Sequence, residues 1–119
     1  MKKQYYLKDK KINVIGKIYQ KDEHGIDKPI YAYRLRGIWA YTRQLSQDQI
    51  FSAKAYGNNE TRLFVINYHD CVRQYDTIEY DGKFFSVTRI DTDDDYKTDM
   101  YIYVKVEPVT PTNIRTLSQ

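Results

Sequence analysis

The sequence predicts a mainly β protein: a small curled antiparallel sheet, barrel or sandwich of about six strands, with one short helix around residues 46–56 and extended termini. Three observations carry this. Apolar and polar residues alternate in one segment after another, which is the period of a strand with one buried face. Thirteen tyrosines stand against five glycines and three prolines, and aromatic residues fit a pleated surface. Asp81-Gly82, placed between two strand-like runs, supplies the residues of a two-residue hairpin turn.

Residues 12–19 open the fold, with Ile12, Val14 and Ile18 on one strand face. Residues 20–29 are polar and contain Gly25 and Pro29, so a loop of ten residues is expected. Residues 30–42 form a long strand in which Gly37 marks a bulge or bend. Tyr31, Tyr33 and Leu35 share a face before it; after it the inward pair is either Ile38 and Ala40 or Trp39 and Tyr41.

Ser46 and Gln49 have capping-box spacing, which starts a helix that ends near Gly57. So short a helix needs Ile50 to pack on the body, with Phe51 as a second candidate. Residues 61–68 place Phe64, Ile66 and Tyr68 on one face and Leu63 and Val65 on the other, so both faces are covered. Residues 76–80 and 83–90 flank the Asp81-Gly82 turn, and residues 98–107 turn Met100, Ile102, Val104 and Val106 inward. The strands are expected in one meander-like sheet. Pro108 and Pro111 bar further pairing, which leaves residues 108–119 as an extended tail behind a single domain at 12–107 and a basic arm at 1–11.

The 119 residues suit one core, and the net charge of +3 does not announce a nucleic-acid binder. The charge is uneven, however. Lys2, Lys3, Lys8, Lys10 and Lys11 face only Asp9 in the arm, whereas Asp91, Asp93, Asp94, Asp95 and Asp99 face only Lys97. Attraction between these segments on neighbouring subunits is expected. The lone Cys71 leaves no partner for an internal disulfide. No apolar signal region opens the chain and no run of about eighteen apolar residues occurs, so synthesis in the cytoplasm without a membrane partner is expected.

Chemistry is sparsely signalled. His24 and His69 lack partners at metal-ligand spacing, and His69 with Cys71 makes two ligands where zinc takes three or four. No phosphate loop or nucleophile elbow surrounds any serine. Asp91, Asp93 and Asp95 imitate the first positions of a calcium loop, but Tyr96 replaces its glycine and Ile102 its glutamate. Neither an enzyme nor a cofactor or metal is expected. A basic strip with interleaved aromatics, Lys17, Tyr19, Tyr31, Tyr33, Arg34 and Arg36, suits single-strand binding on an OB-like barrel.

Taken in order, I-N-V-I, the D-E-H-G loop, I-W-A, L-S-Q-D-Q-I, F-V-I-N-Y and D-T-I-E-Y-D-G-K-F-F-S-V resemble the head closure family of tailed bacteriophages, also called head-tail joining or stopper proteins. The likeness spans residues 12–107 and lies in order and spacing rather than in any one motif. It implies a structural virion protein made in the host cytoplasm, with copies forming a ring, twelve-fold or six-fold, below the portal and its adaptor. The ring closes the channel on packaged double-stranded DNA and docks the tail completion protein or tail tube. The insertion at 45–60 is the expected channel gate, with Gln47, Phe51, Lys54, Tyr56, Asn58, Asn59 and Arg62 as candidates, or else a surface helix plugging one barrel end. Lys54 and Arg62 would meet phosphates.

Contacts to neighbours are expected from Lys2, Lys3, Tyr5, Tyr6, Lys8, Lys10 and Lys11, and from Asp93, Asp94, Asp95 and Tyr96. Pro108, Pro111, Ile114 and Leu117 complete the set, the two chain ends ordering only against partners. The alternatives are a tail completion or other minor virion protein, or an OB-like module for single-stranded nucleic acid.

Overall fold

Among the described residues seven strands and one helix follow one another: β1 (Lys10–Lys21), β2 (Asp27–Gln44), α1 (Gln47–Ala55), β3 (Arg62–Asn67), β4 (Thr77–Tyr80), β5 (Lys83–Thr92), β6 (Asp99–Val106) and β7 (Arg115–Thr116). The structure, a computed structural model, describes residues 6–55, 57, 59–92, 98–107 and 110–116. Six strands run in the order β1-β4-β5-β6-β3-β2, and pairing of β1 with β2 closes them into an antiparallel barrel. Closure pairs strand edges that would otherwise be open to other chains.

The order differs from a simple meander: β3 and β4, consecutive in sequence, are not neighbours, and the β4-β5-β6 unit lies between β3 and β1. Alternation tells which side chains face inward but not which strand lies beside which.

The barrel interior is filled by alternate residues, among them Ile12, Val14, Phe64, Ile78, Val87 and Ile102, each at most 1% exposed. Each such side chain contributes about 1.5–3 kcal/mol relative to exposure. Phe64 meets Tyr80 and Phe85 edge-on at centroid distances of 5.7 and 5.8 Å. Beyond the bulge it is Ile38 and Ala40 that turn inward, while Trp39 faces out.

A second apolar layer lies on the outside of the barrel. Leu45, Leu63 and Val65 are buried there under Ile50, Tyr6, Tyr41, Tyr101 and Tyr103. This explains why β3 is apolar on both faces.

Turn chemistry fixes the ribbons. Asp81 and Gly82 both take positive φ, 53° and 73°, as a type I′ turn requires. Gly37, at φ 63°, sits where β2 gains a residue on β1, since Ile12 pairs with Ile38 but Val14 with Leu35. Asn13 Oδ1 accepts from the Gly37 N–H there at 2.7 Å.

Three expectations change. The ten-residue loop is a five-residue turn, because Asp22 Oδ1 accepts from the N–H groups of His24 (2.8 Å) and Ile26 (2.9 Å) and draws the strands together. The Ile26 N–H is also the main reason the Asp22 carboxyl lies below its ordinary value. The polar residues on either side are ladder residues with both faces in solvent, so no alternation marked them. Val106 follows the inward parity but lies past the barrel rim and is exposed. The tail, despite its prolines, adds β7 in parallel beside Ala32 and Tyr33 of β2.

Candidate functional surfaces

Two features project from the barrel, at opposite ends of β2. Its 18 residues would span about 60 Å at roughly 3.3 Å each, comparable to the 56 Å long axis of the molecule. One end carries the β1–β2 arm. From Lys17 to Lys21 and from Asp27 to Pro29 every residue is exposed, with Ile18, Tyr19 and Ile26 among the uncovered apolar side chains. The other end leads into α1.

The helix begins with the expected capping box. The Gln49 N–H donates to Ser46 Oγ (3.2 Å), and the Ser46 N–H donates to Gln49 Oε1 (3.0 Å). Ala53 and Ile50 turn toward the barrel, whereas Phe51 is 76% exposed. The expectation that Phe51 packs on the body is therefore corrected: it lies on the side of α1 away from Ala53. No Cα of α1 comes within 8 Å of a strand Cα among the described residues, so side chains alone hold the helix. Gln47, Phe51 and Lys54 recur at helical spacing and line one shallow surface.

Between α1 and the barrel lies a cleft of about 520 Å³, with Leu45, Ala53 and Tyr103 as its apolar lining and Asp48, Glu60 and Arg89 as its charged one. Glu60 is 2% exposed. Its Oε1 lies 3.3 Å from Arg89 Nη2, and its Oε2 lies 2.7 Å from Thr88 Oγ1. Arg89 stacks on the Tyr103 ring at 3.8 Å and pairs with Asp91 at 2.7 Å. Burial by itself would lower the guanidinium, but the Glu60 hydrogen bond, helped by the charges of Glu60 and Asp91, leaves it raised.

Arg62 does not join the other gate candidates. It donates to Thr42 Oγ1 at 3.0 Å and lies 5.9 Å from the ring centroids of both Tyr80 and Phe85, capping the core at the barrel rim. Asn59 is exposed in the connection to β3. Tyr56 and Asn58 lie outside the described residues.

The basic arm is shorter than expected. Lys10 and Lys11 belong to β1, paired with Ala40 and Trp39. Tyr6 packs on Tyr41 and Tyr101 at 5.1 and 5.6 Å, and Lys8 Nζ meets Asp99 Oδ1 at 2.7 Å. For Lys8 and Asp99 the attraction between basic and acidic segments is thus satisfied within one chain. Pro111 is buried and Ile114 half-buried, so this part of the tail also lies on its own barrel. Lys2, Lys3, Tyr5, Asp93, Asp94, Asp95, Tyr96, Pro108 and Leu117 lie outside the described residues.

One cluster had no clear sequence signal. Asp76 is 3% exposed at the floor of a cleft near the base of the arm. The Arg73 N–H donates to its Oδ2 at 2.8 Å, and Arg34 Nε lies 3.0 Å from the same oxygen. The Arg34 N–H is not directed along that line, so this contact is an ion pair rather than a formed hydrogen bond. Desolvation outweighs both partners and raises the Asp76 carboxyl above its ordinary value. The Arg34 guanidinium lies over Gly16, where a Cβ would stand 2.3 Å from Nε. Tyr75, beside it, holds φ 73° with its side chain in solvent. Only the spacing of D-T-I-E-Y was legible here, and it marked a strand start.

No group of three or more His, Cys, Asp or Glu gathers at metal-binding distance among the described residues. No helix among them is long and apolar enough to cross a membrane.

No family model matches the chain, and no curated protein matches it. Among solved structures the chain is similar to the solution structure of protein SF1141 from Shigella flexneri 2a, with a TM-score of 0.70 at 15% identity. The match covers 85% of this chain and 94% of that one. At this identity the likeness shows a shared fold.

Proposed function

We propose that this chain is a structural protein of a phage head-tail connector. Its copies form a ring below the portal and adaptor, close the DNA channel after packaging, and dock the tail. The ordered resemblance across residues 12–107 supplies the reading. The observation that supports it best is a closed barrel with two projecting features, the arm and α1, at opposite ends of β2. A closed ring of identical subunits joins two different surfaces of each copy, and a subunit with distinct projections at its two ends suits that geometry. Exposed Ile18, Ile26 and Phe51 fit surfaces that become covered on assembly.

In this reading α1 is the gate. It hangs on few backbone neighbours, and such segments move at low cost. Removing residues 47–59 would strip Ile50 from the layer over Leu45, Leu63 and Val65, so substitution is the cleaner test. In particles that carry the protein, replacing Gln47, Phe51 and Lys54 together by Ala should leave head filling normal and increase the fraction of emptied heads seen by electron microscopy. Unchanged DNA retention would remove the gate assignment.

A further inference from the structure

The charge that looks unremarkable over the whole chain is concentrated on one ribbon. Residues 10–44 carry eight Lys and Arg against three Asp and Glu, a net +5, whereas the whole chain carries +3. Everything outside the β1–β2 ribbon is therefore net −2. Lys11 and Lys17 lie on the face of β1 opposite the core residues Ile12 and Val14.

Three of these cations are braced against aromatic rings. Lys11 Nζ stands 4.9 Å over Trp39, the Arg36 guanidinium 4.5 Å over Tyr33, and Lys17 Nζ 5.5 Å over Tyr19. None of the three cations pairs with a carboxylate among the described residues. Glu79 borders the stripe on the β4 side, where Asn13 Nδ2 donates to it at 2.8 Å.

We infer that this stripe is a contact surface for the phosphate backbone of duplex DNA. Lys11 and Lys17 are six positions apart on one strand, about 20 Å, with Arg36 between them on β2. That length matches about six backbone steps of a duplex at roughly 3.4 Å each. A ring beneath each ammonium or guanidinium restricts a side chain that would otherwise lose rotamer freedom on binding. The same arrangement closes one face of each ring to base stacking, which disfavours a single strand as the partner. Backbone contacts of this kind position nucleic acid without reading its sequence. The inference does not require a ring, since it concerns the free subunit; a connector channel would supply the duplex.

Trp39 is the only tryptophan and touches the stripe, so its fluorescence reports occupancy directly. The free protein is titrated at low salt with a duplex of about 20 base pairs, the corresponding single strand, and inorganic polyphosphate, a duplex of that length exceeding the stripe several-fold. The duplex should alter Trp39 emission and bind more tightly than either competitor. Its log affinity should fall with log salt at a slope near −3, about −0.9 for each phosphate met. Replacing Lys11, Lys17 and Arg36 together by Gln should bring the slope near zero while leaving the urea midpoint unchanged. The inference is overturned by absence of duplex binding, by a wild-type slope in the triple variant, or by equal or tighter binding of the single strand or polyphosphate.

Discussion

Glu60 is buried beneath Arg89, with Oε1 3.3 Å from Nη2, and this pair ties the exit of the α1 segment to β5. The carboxylate is covered, but the arginine side chain is 44% exposed, so water weakens the pair. Arg89→Met should destabilise the protein by about 2 kcal/mol, chiefly by leaving a buried acceptor without its charged donor. Glu60→Gln keeps an oxygen for Thr88 and should cost about 1 kcal/mol. The double variant should cost less than the sum of the two. Urea unfolding of the four proteins measures this, and strict additivity would mean that the contact carries no coupling.

Gly16 is required by a side chain rather than by backbone geometry. A Cβ there meets the Arg34 guanidinium, which can move only by leaving Asp76. Gly16→Ala should cost about 1–3 kcal/mol through the loss of that pair. In an Arg34→Ala background the same substitution should cost almost nothing. Equal costs in both backgrounds would show that the glycine serves the strand backbone instead.

Asp76 sets a pH dependence of unusual sign. Its carboxyl is raised from 3.8 in the fold, so between pH 3.8 and that raised value the folded state holds more of this proton than the unfolded chain does. Stability from this group is highest below that pH and declines as pH rises through the raised value. The difference in unfolding free energy between wild type and Asp76→Asn should therefore shift against wild type from about pH 4 upward. A shift in favour of wild type would mean that Arg34 and Arg73 dominate over burial.

The β4–β5 turn depends on Gly82, at φ 73°. Gly82→Ala should cost about 1–2 kcal/mol, and Asp81→Gly should be nearly neutral because that position also has positive φ, 53°. Thermal unfolding of both variants tests this. A neutral Gly82→Ala would mean that the turn relaxes to another type.

Where the sequence constrains one residue against its near neighbours, it was readable. The Ser46–Gln49 cap, the Asp81-Gly82 turn and the two-sided burial of β3 all follow from local spacing. The arm was not readable, because a ribbon exposed on both faces has no hydrophobic period, and its signal, an Asp22 side chain folding a turn, lies in hydrogen bonding. Arg62 looked like a free cation near the helix, yet strand parity aims it at the barrel rim over Tyr80 and Phe85. The Asp76–Arg34 and Glu60–Arg89 pairs join residues 42 and 29 positions apart, a distance at which no periodicity speaks. For the same reason, a Lys8 that looked available to a neighbour is held by Asp99 of its own chain.

Imaging connectors in purified particles decides where this chain sits, by locating it with a bound antibody fragment and averaging the head-tail junction. A connector protein should appear as a closed ring of copies around the DNA exit, between adaptor and tail, with the arm and α1 engaged at subunit or channel contacts. Absence of the chain from intact particles, or a place elsewhere on them as isolated monomers, would contradict the connector assignment.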